Sequence, residues 1–387
     1  MAPGLVELHP SEDTSIPQTS AKSVRGVFNP AKHLAYEPPN AIYTLNDLSL
    51  PPSSISNVAS TEPFQLLSEE AILLHRKELF SKDVLDNCTY HTRPGSVQLR
   101  GMAPRYAPFI HQFWTSPEVL RIVSDNAGVD LVPVMDYEIC HTNVQLGSAG
   151  LEGVKDTPVR PPKAAEVLDK DQGLIDKPAK NAIVPWHRDS HPFVCVVMLS
   201  DARYMTEGET EIQRGDGKTI KVRSPQMVSN SIPTCGCTNA DMQGGAVILQ
   251  GRHVSHIALP SGNMPERITI VTSFRPRDPR LLDQSSNMNV RTKSRLPELY
   301  YQWTSYRLHL LAERFRLEGE KLDAQYAEAI AKTEKGRRGD VKKDIVDVQA
   351  LTKWIDEQIA YMKQTVWEMR PVTAEDNINK NEIPDIP

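Results

Sequence analysis

Between residues 131 and 280 the chain is cut into short apolar or alternating segments separated by turn residues, and that texture excludes most architectures. Residues 193–199 (FVCVVML) form an unbroken apolar run, as expected of a strand covered on both faces. Arg214-Gly215-Asp216-Gly217-Lys218 predicts a hairpin-like turn. Strands are predicted over 245–249, after which Gly251 bends the chain, and over 254–259. Pro260-Ser261-Gly262-Asn263 then turns it into a strand over 267–274. Upstream, alternation over 134–146 places Tyr137, Ile139, His141, Asn143 and Gln145 on one face and Glu138, Cys140, Thr142 and Val144 on the other. Polar groups on both faces predict a strand that lines a wet pocket. Many short strands with turns between them predict a sandwich or jelly roll, not a doubly wound sheet.

The flanks have a different texture. Residues 1–60 are rich in Pro, Ser and Asn without a sustained period and are expected to form an extended N-terminal arm. Over 61–130 the signals are helical: Ser68 before Glu69-Glu70, and Ser116-Pro117-Glu118 running to Gly128, predict two helices that flank a sheet. Residues 147–182 carry no period and are expected to be a long loop, functional or mobile. In 281–387, Leu299, Trp303, Tyr306 and Leu310, then Phe315, Leu322, Tyr326 and Ile330, keep to one helical face. Gly336-Arg337-Arg338-Gly339-Asp340 breaks that helix, and a second follows with Val348, Leu351, Ile355, Ile359, Met362 and Val366. Such a pair either covers the core or joins two copies of the chain as a homodimer.

Composition narrows the partners. With 24% charged residues and a net charge of -5, the chain has no basic footprint for nucleic acid and no polybasic patch for a membrane. No apolar run approaches the roughly 20 residues that cross a bilayer, and Met1-Ala2-Pro3-Gly4 does not open a secretory signal, so a cytoplasmic protein with a small-molecule substrate is expected. The five cysteines are odd in number and scattered, which predicts reduced thiols. Cys235-Gly236-Cys237 has no second pair to complete a metal site.

Chemistry concentrates at Trp186-His187-Arg188-Asp189-Ser190-His191. On an extended strand His187 and Asp189 point to one side, which suits a divalent metal. Two histidines and one carboxylate that leave other positions open suit non-haem Fe(II) with a cosubstrate and O2. His256 is the expected second histidine. His253 rivals it but lacks the spacing to Pro260. If the strands around 256 and 267 form a hairpin, His256 and Arg267 reach one cavity, with Thr269 beside Arg267 by parity. His191, about 13 Å along a straight strand from His187, is expected to be a pocket or structural histidine. Arg275 and Arg277 are expected at the surface.

His187-Arg188-Asp189, the His256-to-Pro260 segment and Arg267-Ile268-Thr269, together with Gly208-Glu209-Thr210, resemble the Fe(II)/2-oxoglutarate-dependent oxygenases, whose core is a double-stranded β-helix. Over 131–280 the resemblance implies a jelly-roll or cupin-like catalytic core, mainly β with flanking helices, followed by a C-terminal helical extension. The segment from Asp136-Tyr137-Glu138 to Asn143 extends the resemblance toward fungal secondary-metabolism members. It implies Fe(II) on His187, Asp189 and His256, and 2-oxoglutarate on Arg267 and Thr269. The implied reaction is O2-dependent hydroxylation, desaturation or oxidative cyclisation of a small organic, amino-acid-derived substrate. Halogenation is not expected, because Asp189 fills the position halogenases leave for halide. Tyr137, Asn143 and Gln145 are candidate substrate contacts. A zinc-dependent hydrolase would use the same ligands, and a non-catalytic ligand-binding protein would keep the same fold.

Overall fold

The computed structural model describes residues 26–93, 95–147, 150–156, 186–202, 205–222, 244–262 and 266–373. Its central layer is an antiparallel sheet ordered Ile42–Thr44, Val58–Thr61, Gly245–Leu249, Phe193–Met198, Glu266–Pro276, His141–Leu146, Ser96–Leu99 and Thr89–Arg93. Phe64–Gln65 adds to Gly245–Leu249, and Leu131–Pro133 adds to Glu266–Pro276. A second sheet runs Thr219–Val222, Thr210–Gln213, His256–Ala258, and Ser261–Gly262 pairs with Thr206–Glu207. The protein is therefore mainly antiparallel β with helices around it.

Side-chain alternation divides the central sheet into two chemically distinct faces. Phe193, Cys195 and Val197, with Ala246, Ile248, Ile268, Ile270 and Phe274, pack into a core with Phe109, Phe113 and Trp114. The helices on that side are Glu69–Leu79, Pro108–Thr115 and Pro117–Ala127. The first and third of these start where the sequence announces, while Pro108–Thr115 is not among the predicted helices. Ser68 Oγ accepts from Ala71 N, Ser116 Oγ accepts from Val119 N, and Gly128 ends the third helix at φ +68. From the opposite face Val194, Val247 and Leu249 meet Ile212 and Val222 of the second sheet. That second layer leaves room for a cavity at one end.

The structure departs from the sequence expectations in several places, and Phe64–Gln65, Thr89–Arg93 and Ser96–Leu99, within the stretch expected to hold flanking helices, are strands of the central sheet. Residues 42–44 and 58–61 are strands of the central sheet, and Leu45, Leu48 and Ala59 are buried beside them, so the stretch before residue 61 is not only an extended arm. The strand predicted over 134–146 starts only at His141. Asp136–Glu138 is a 3-10 turn, and Cys140 sits at φ +62, which breaks the parity and sends Tyr137 elsewhere. The hairpin predicted between 254–259 and 267–274 does not form, because His256–Ala258 pairs with Thr210–Gln213 while Glu266–Pro276 pairs within the central sheet. Arg275 is not a plain surface charge: it stacks over the Tyr306 ring at 5.3 Å, whereas Arg277 does make an exposed pair with Asp130.

Helices Leu296–Ala331 and Val348–Trp367 form the C-terminal pair. Leu299 and Trp303 pack on Val134, Met135 and Tyr137, and Leu310 and Leu311 pack on Tyr361. Beyond Leu311 no residue of the first helix is fully buried, and Phe315 and Leu322 are exposed. No helix among the described residues is long and apolar enough to cross a membrane. Cys88, Cys140 and Cys195 are buried free thiols. Within the predicted long loop, residues 150–156 are helical. Residues 148–149 and 157–182 of that loop, the first four residues, and Cys235 and Cys237 lie outside the described residues.

Candidate metal centre

The two ends of the site come from segments 69 positions apart, and backbone hydrogen bonds hold them in register. His187 and His256 form an isolated antiparallel bridge, His187 N donating to His256 O (3.0 Å) and His256 N to His187 O (2.9 Å). Residues paired this way project their side chains to one side, and the two imidazole centroids lie 4.4 Å apart. Asp189 completes the group: its Oδ1 is 3.5 Å from His187 Nε2 and its Oδ2 is 3.7 Å from His256 Nε2. One ligand atom from each of the three residues falls within 4.8 Å of the others.

Gly251 makes room for the carboxylate. A Cβ there would lie 2.6 Å from Asp189 Cβ and 2.5 Å from His191 O, so the backbone can pass only as glycine. The carboxylate atom Oδ2 is buried and accepts no hydrogen bond among the described residues. An orphaned anionic oxygen between two imidazoles is costly unless a cation takes it. Protonation states agree. Burial pushes the Asp189 carboxyl up, but His256 and His187 outweigh it and hold its pKa at about 2. Burial lowers His256, against the pull of Asp189. At neutral pH the aspartate is ionised and His256 neutral, the forms in which they bind metal.

The three side chains open into a cavity of about 190 Å³. Arg267 and Thr269 line it from the central sheet, and Thr210 from the second sheet. Arg267 is 7% exposed, and its guanidinium donates to Leu259 O (3.4 Å) and Gly208 O (3.3 Å). Burial pulls its pKa down to about 10, so it remains a cation at neutral pH. Arg267 and His256 thus share one cavity as expected, but from facing sheets instead of neighbouring strands. Gly208, at φ +82, allows the turn that supplies one of those carbonyls.

Of the candidate substrate contacts, Asn143 lines the cavity. Gln145, one pair further along the strand, instead bonds both ways with Ser261, accepting from its Oγ (3.2 Å) and donating to its O (3.4 Å). Tyr137 is packed under the C-terminal helices, its hydroxyl accepting from Arg295 N (2.8 Å), away from the cavity wall. His253 is outside the metal cluster. His191 is buried on the cavity wall with Nε2 3.4 Å from Glu138 Oε2. Burial first, then Arg100, holds its pKa near 3 in spite of the carboxylates of Asp283 and Asp189.

Gln98, Arg100 and Lys293 also line the cavity, and no motif or periodicity points to them. Arg100 is buried and ion-paired with Glu138. Its signal exists only in three dimensions, because Ser96–Leu99 must first pair with His141–Leu146 before residue 100 reaches the site.

No protein-family model matches this sequence, and no curated protein does. Among solved structures, a prolyl-4-hydroxylase from Pseudomonas putida shares 15% identity over 55% of this chain and 89% of its own, with a TM-score of 0.29. An oxidoreductase of the 2OG-Fe(II) oxygenase family from Burkholderia pseudomallei shares 10% identity over 50% of this chain and 74% of its own, at 0.29. Prolyl 4-hydroxylases from Phytophthora capsici share 10% identity over 80% of this chain and 83% of their own, at 0.31. At those distances nothing about these proteins transfers to this chain.

Proposed function

We propose that this protein is a non-haem iron oxygenase with a double-stranded β-helix core that uses 2-oxoglutarate and O2 to oxidise a small, amino-acid-derived organic substrate, in secondary metabolism. The observation that carries the reading is the meeting of His187, Asp189 and His256 within 4.8 Å in a cavity that also holds the buried Arg267. Two imidazoles and a carboxylate on one side of an ion leave the remaining positions open, the arrangement suited to an oxidising iron centre. A structural zinc site would be closed by a fourth protein ligand, and no such ligand joins the cluster among the described residues.

Each side chain has a distinct task. His187, Asp189 and His256 would hold Fe(II), which with 2-oxoglutarate and O2 supplies the oxidation of a substrate C–H bond. Overall, substrate, 2-oxoglutarate and O2 give hydroxylated product, succinate and CO2. Arg267 binds the distal carboxylate of the 2-oxo acid through two parallel N–H donors, and the carbonyls of Leu259 and Gly208 fix its plane. Thr269 supports the same carboxylate with its hydroxyl. Val194, Val196, Met198 and Val271 make the cavity wall apolar and exclude water from the substrate.

The test is anaerobic titration of the full chain with Fe(II) and then 2-oxoglutarate, followed by O2 and succinate detection. A visible absorption band on adding the 2-oxo acid, and succinate on adding O2, are expected. Failure to capture Fe(II), or Zn(II)-dependent hydrolysis with no succinate, overturns the reading. Arg267→Ala should weaken 2-oxoglutarate binding by roughly 3 kcal/mol, about a hundredfold. An unchanged affinity would assign the carboxylate to another residue.

A further inference from the structure

We propose that one wall of the cavity recognises an amide group, N–H and C=O together, in the substrate; that this group belongs to the molecule oxidised rests on the oxygenase reading above. His141 and Asn143 alternate along one strand, so both face the cavity, and they are tied together by a chain of hydrogen bonds through Gln98, which also lines it, and Tyr90, which does not. Gln98 Nε2 donates to Asn143 Oδ1 (2.5 Å), Tyr90 Oη donates to Gln98 Oε1 (2.9 Å), and His141 Nε2 lies 2.9 Å from the same Tyr90 oxygen. With Tyr90 already donating, its oxygen accepts from His141 Nε2–H. Burial, with Arg100 and Lys293 nearby, pushes the His141 pKa well below its ordinary range, so the ring is neutral and Nδ1 carries a bare lone pair.

The two ends of this chain are therefore complementary. Asn143 keeps its Nδ2 hydrogens and His141 keeps its Nδ1 lone pair, and neither has a partner among the described residues. Turning both amides over reverses every bond. Tyr90 then donates to His141, His141 Nδ1–H becomes the donor, and Asn143 Oδ1 becomes the acceptor. Either way the wall presents one donor and one acceptor at neighbouring points. A primary amide, or a cis secondary amide such as a lactam, offers the matching pair along one edge. An ionised carboxylate offers acceptors only, and an ester or ketone lacks the donor, so each leaves one end of the wall unpaired.

The experiment uses δ-valerolactam, N-methyl-δ-valerolactam and δ-valerolactone, three probes of similar size and shape. Their binding to the full chain, alone and with Zn(II) and 2-oxoglutarate, is followed by ligand-observed NMR titration. The lactam is expected to bind at least tenfold more tightly than either analogue. Asn143→Leu and His141→Phe should each bring the lactam down to the level of the lactone. Tyr90→Phe, which cuts the chain behind the wall, should reduce the preference several-fold. Equal affinities, no detectable lactam binding, or an Asn143→Leu variant that loses 2-oxoglutarate while keeping the lactam preference would overturn the proposal. Failure of Fe(II) capture or succinate formation would sink the oxygenase reading and leave the lactam preference intact, so the two are separable.

Discussion

At Gly251 the absent side chain is as consequential as any ligand. Because a Cβ there would press on Asp189 Cβ and on the carbonyl of His191, Gly251→Ala must displace the very loop that carries the carboxylate. We expect a loss of about 1–3 kcal/mol in stability and at least tenfold weaker Fe(II) capture, checked by chemical denaturation and by metal titration on the same preparation. A second residue-scale consequence concerns acid. His75 is fully buried, its Nδ1–H donates to Ala71 O (2.8 Å), and burial lowers its pKa from 6.5 to about 4. The folded state therefore holds the ring neutral while the unfolded chain takes up a proton below pH 6.5. Stability contributed by this site is complete above pH 6.5 and falls as pH drops toward 4, by about 3 kcal/mol in all. His75→Leu should flatten the dependence of unfolding free energy on pH over that window. An equally steep profile in the variant would place the proton uptake elsewhere, for instance at His191.

At the scale of elements, local chemistry was legible wherever an element is specified by its own residues. Ser116, Pro117 and Gly128 mark both ends of a helix because capping needs only neighbours in sequence. Ser116→Ala should cost about 1 kcal/mol, read as a shift in the denaturation midpoint without a change in slope. Pairing between strands was less legible. Thr210–Gln213 takes His256–Ala258 as its partner, setting Ile212 opposite His256, although the turn at 260–263 reads as a hairpin with the strand that follows. A turn motif specifies that the chain reverses, not which sheet each arm joins. The same limit hid the break at Cys140, where one residue at positive φ, with its N–H on Thr272 Oγ1 (3.1 Å), separates Tyr137 from the strand whose alternation it continues in sequence.

Across the whole molecule the C-terminal helices buttress the metal loop. Arg307 is fully buried between the rings of Trp303 (4.4 Å) and Tyr361 (3.5 Å), and its Nε donates to Thr365 Oγ1 (2.7 Å). Asp283 Oδ2 accepts from Tyr361 Oη (2.9 Å) and Tyr306 Oη (3.2 Å) and lies 3.6 Å from Arg307. The segment that leaves Asp283 then reaches the site: Ser286 N donates to Ser190 O (2.8 Å), and Asn289 Nδ2 to Arg188 O (3.3 Å). Asp283→Ala leaves Arg307 buried without its counter-charge, so a loss of about 3–5 kcal/mol is expected. Weaker Fe(II) capture should accompany it, since the contacts to residues 188 and 190 loosen. Metal affinity that survives intact in a folded Asp283→Ala protein would show the two regions to be independent.

What the amino-acid order determined by itself was local: helix starts and stops, the apolar strand at 193–198, and the same-side placement of His187 and Asp189. It also offered His256 and Arg267 as candidates, because their types and spacing limit what they can do. Only the tertiary structure decided that His187 and His256 share a backbone bridge, that Arg267 enters the cavity from the facing sheet, and that Gln98, Arg100 and Lys293 stand on its wall. The physical reason is that strand pairing is a choice among distant partners. It is settled by which arrangement buries the apolar faces and satisfies the backbone at once, and no short stretch of sequence contains that comparison.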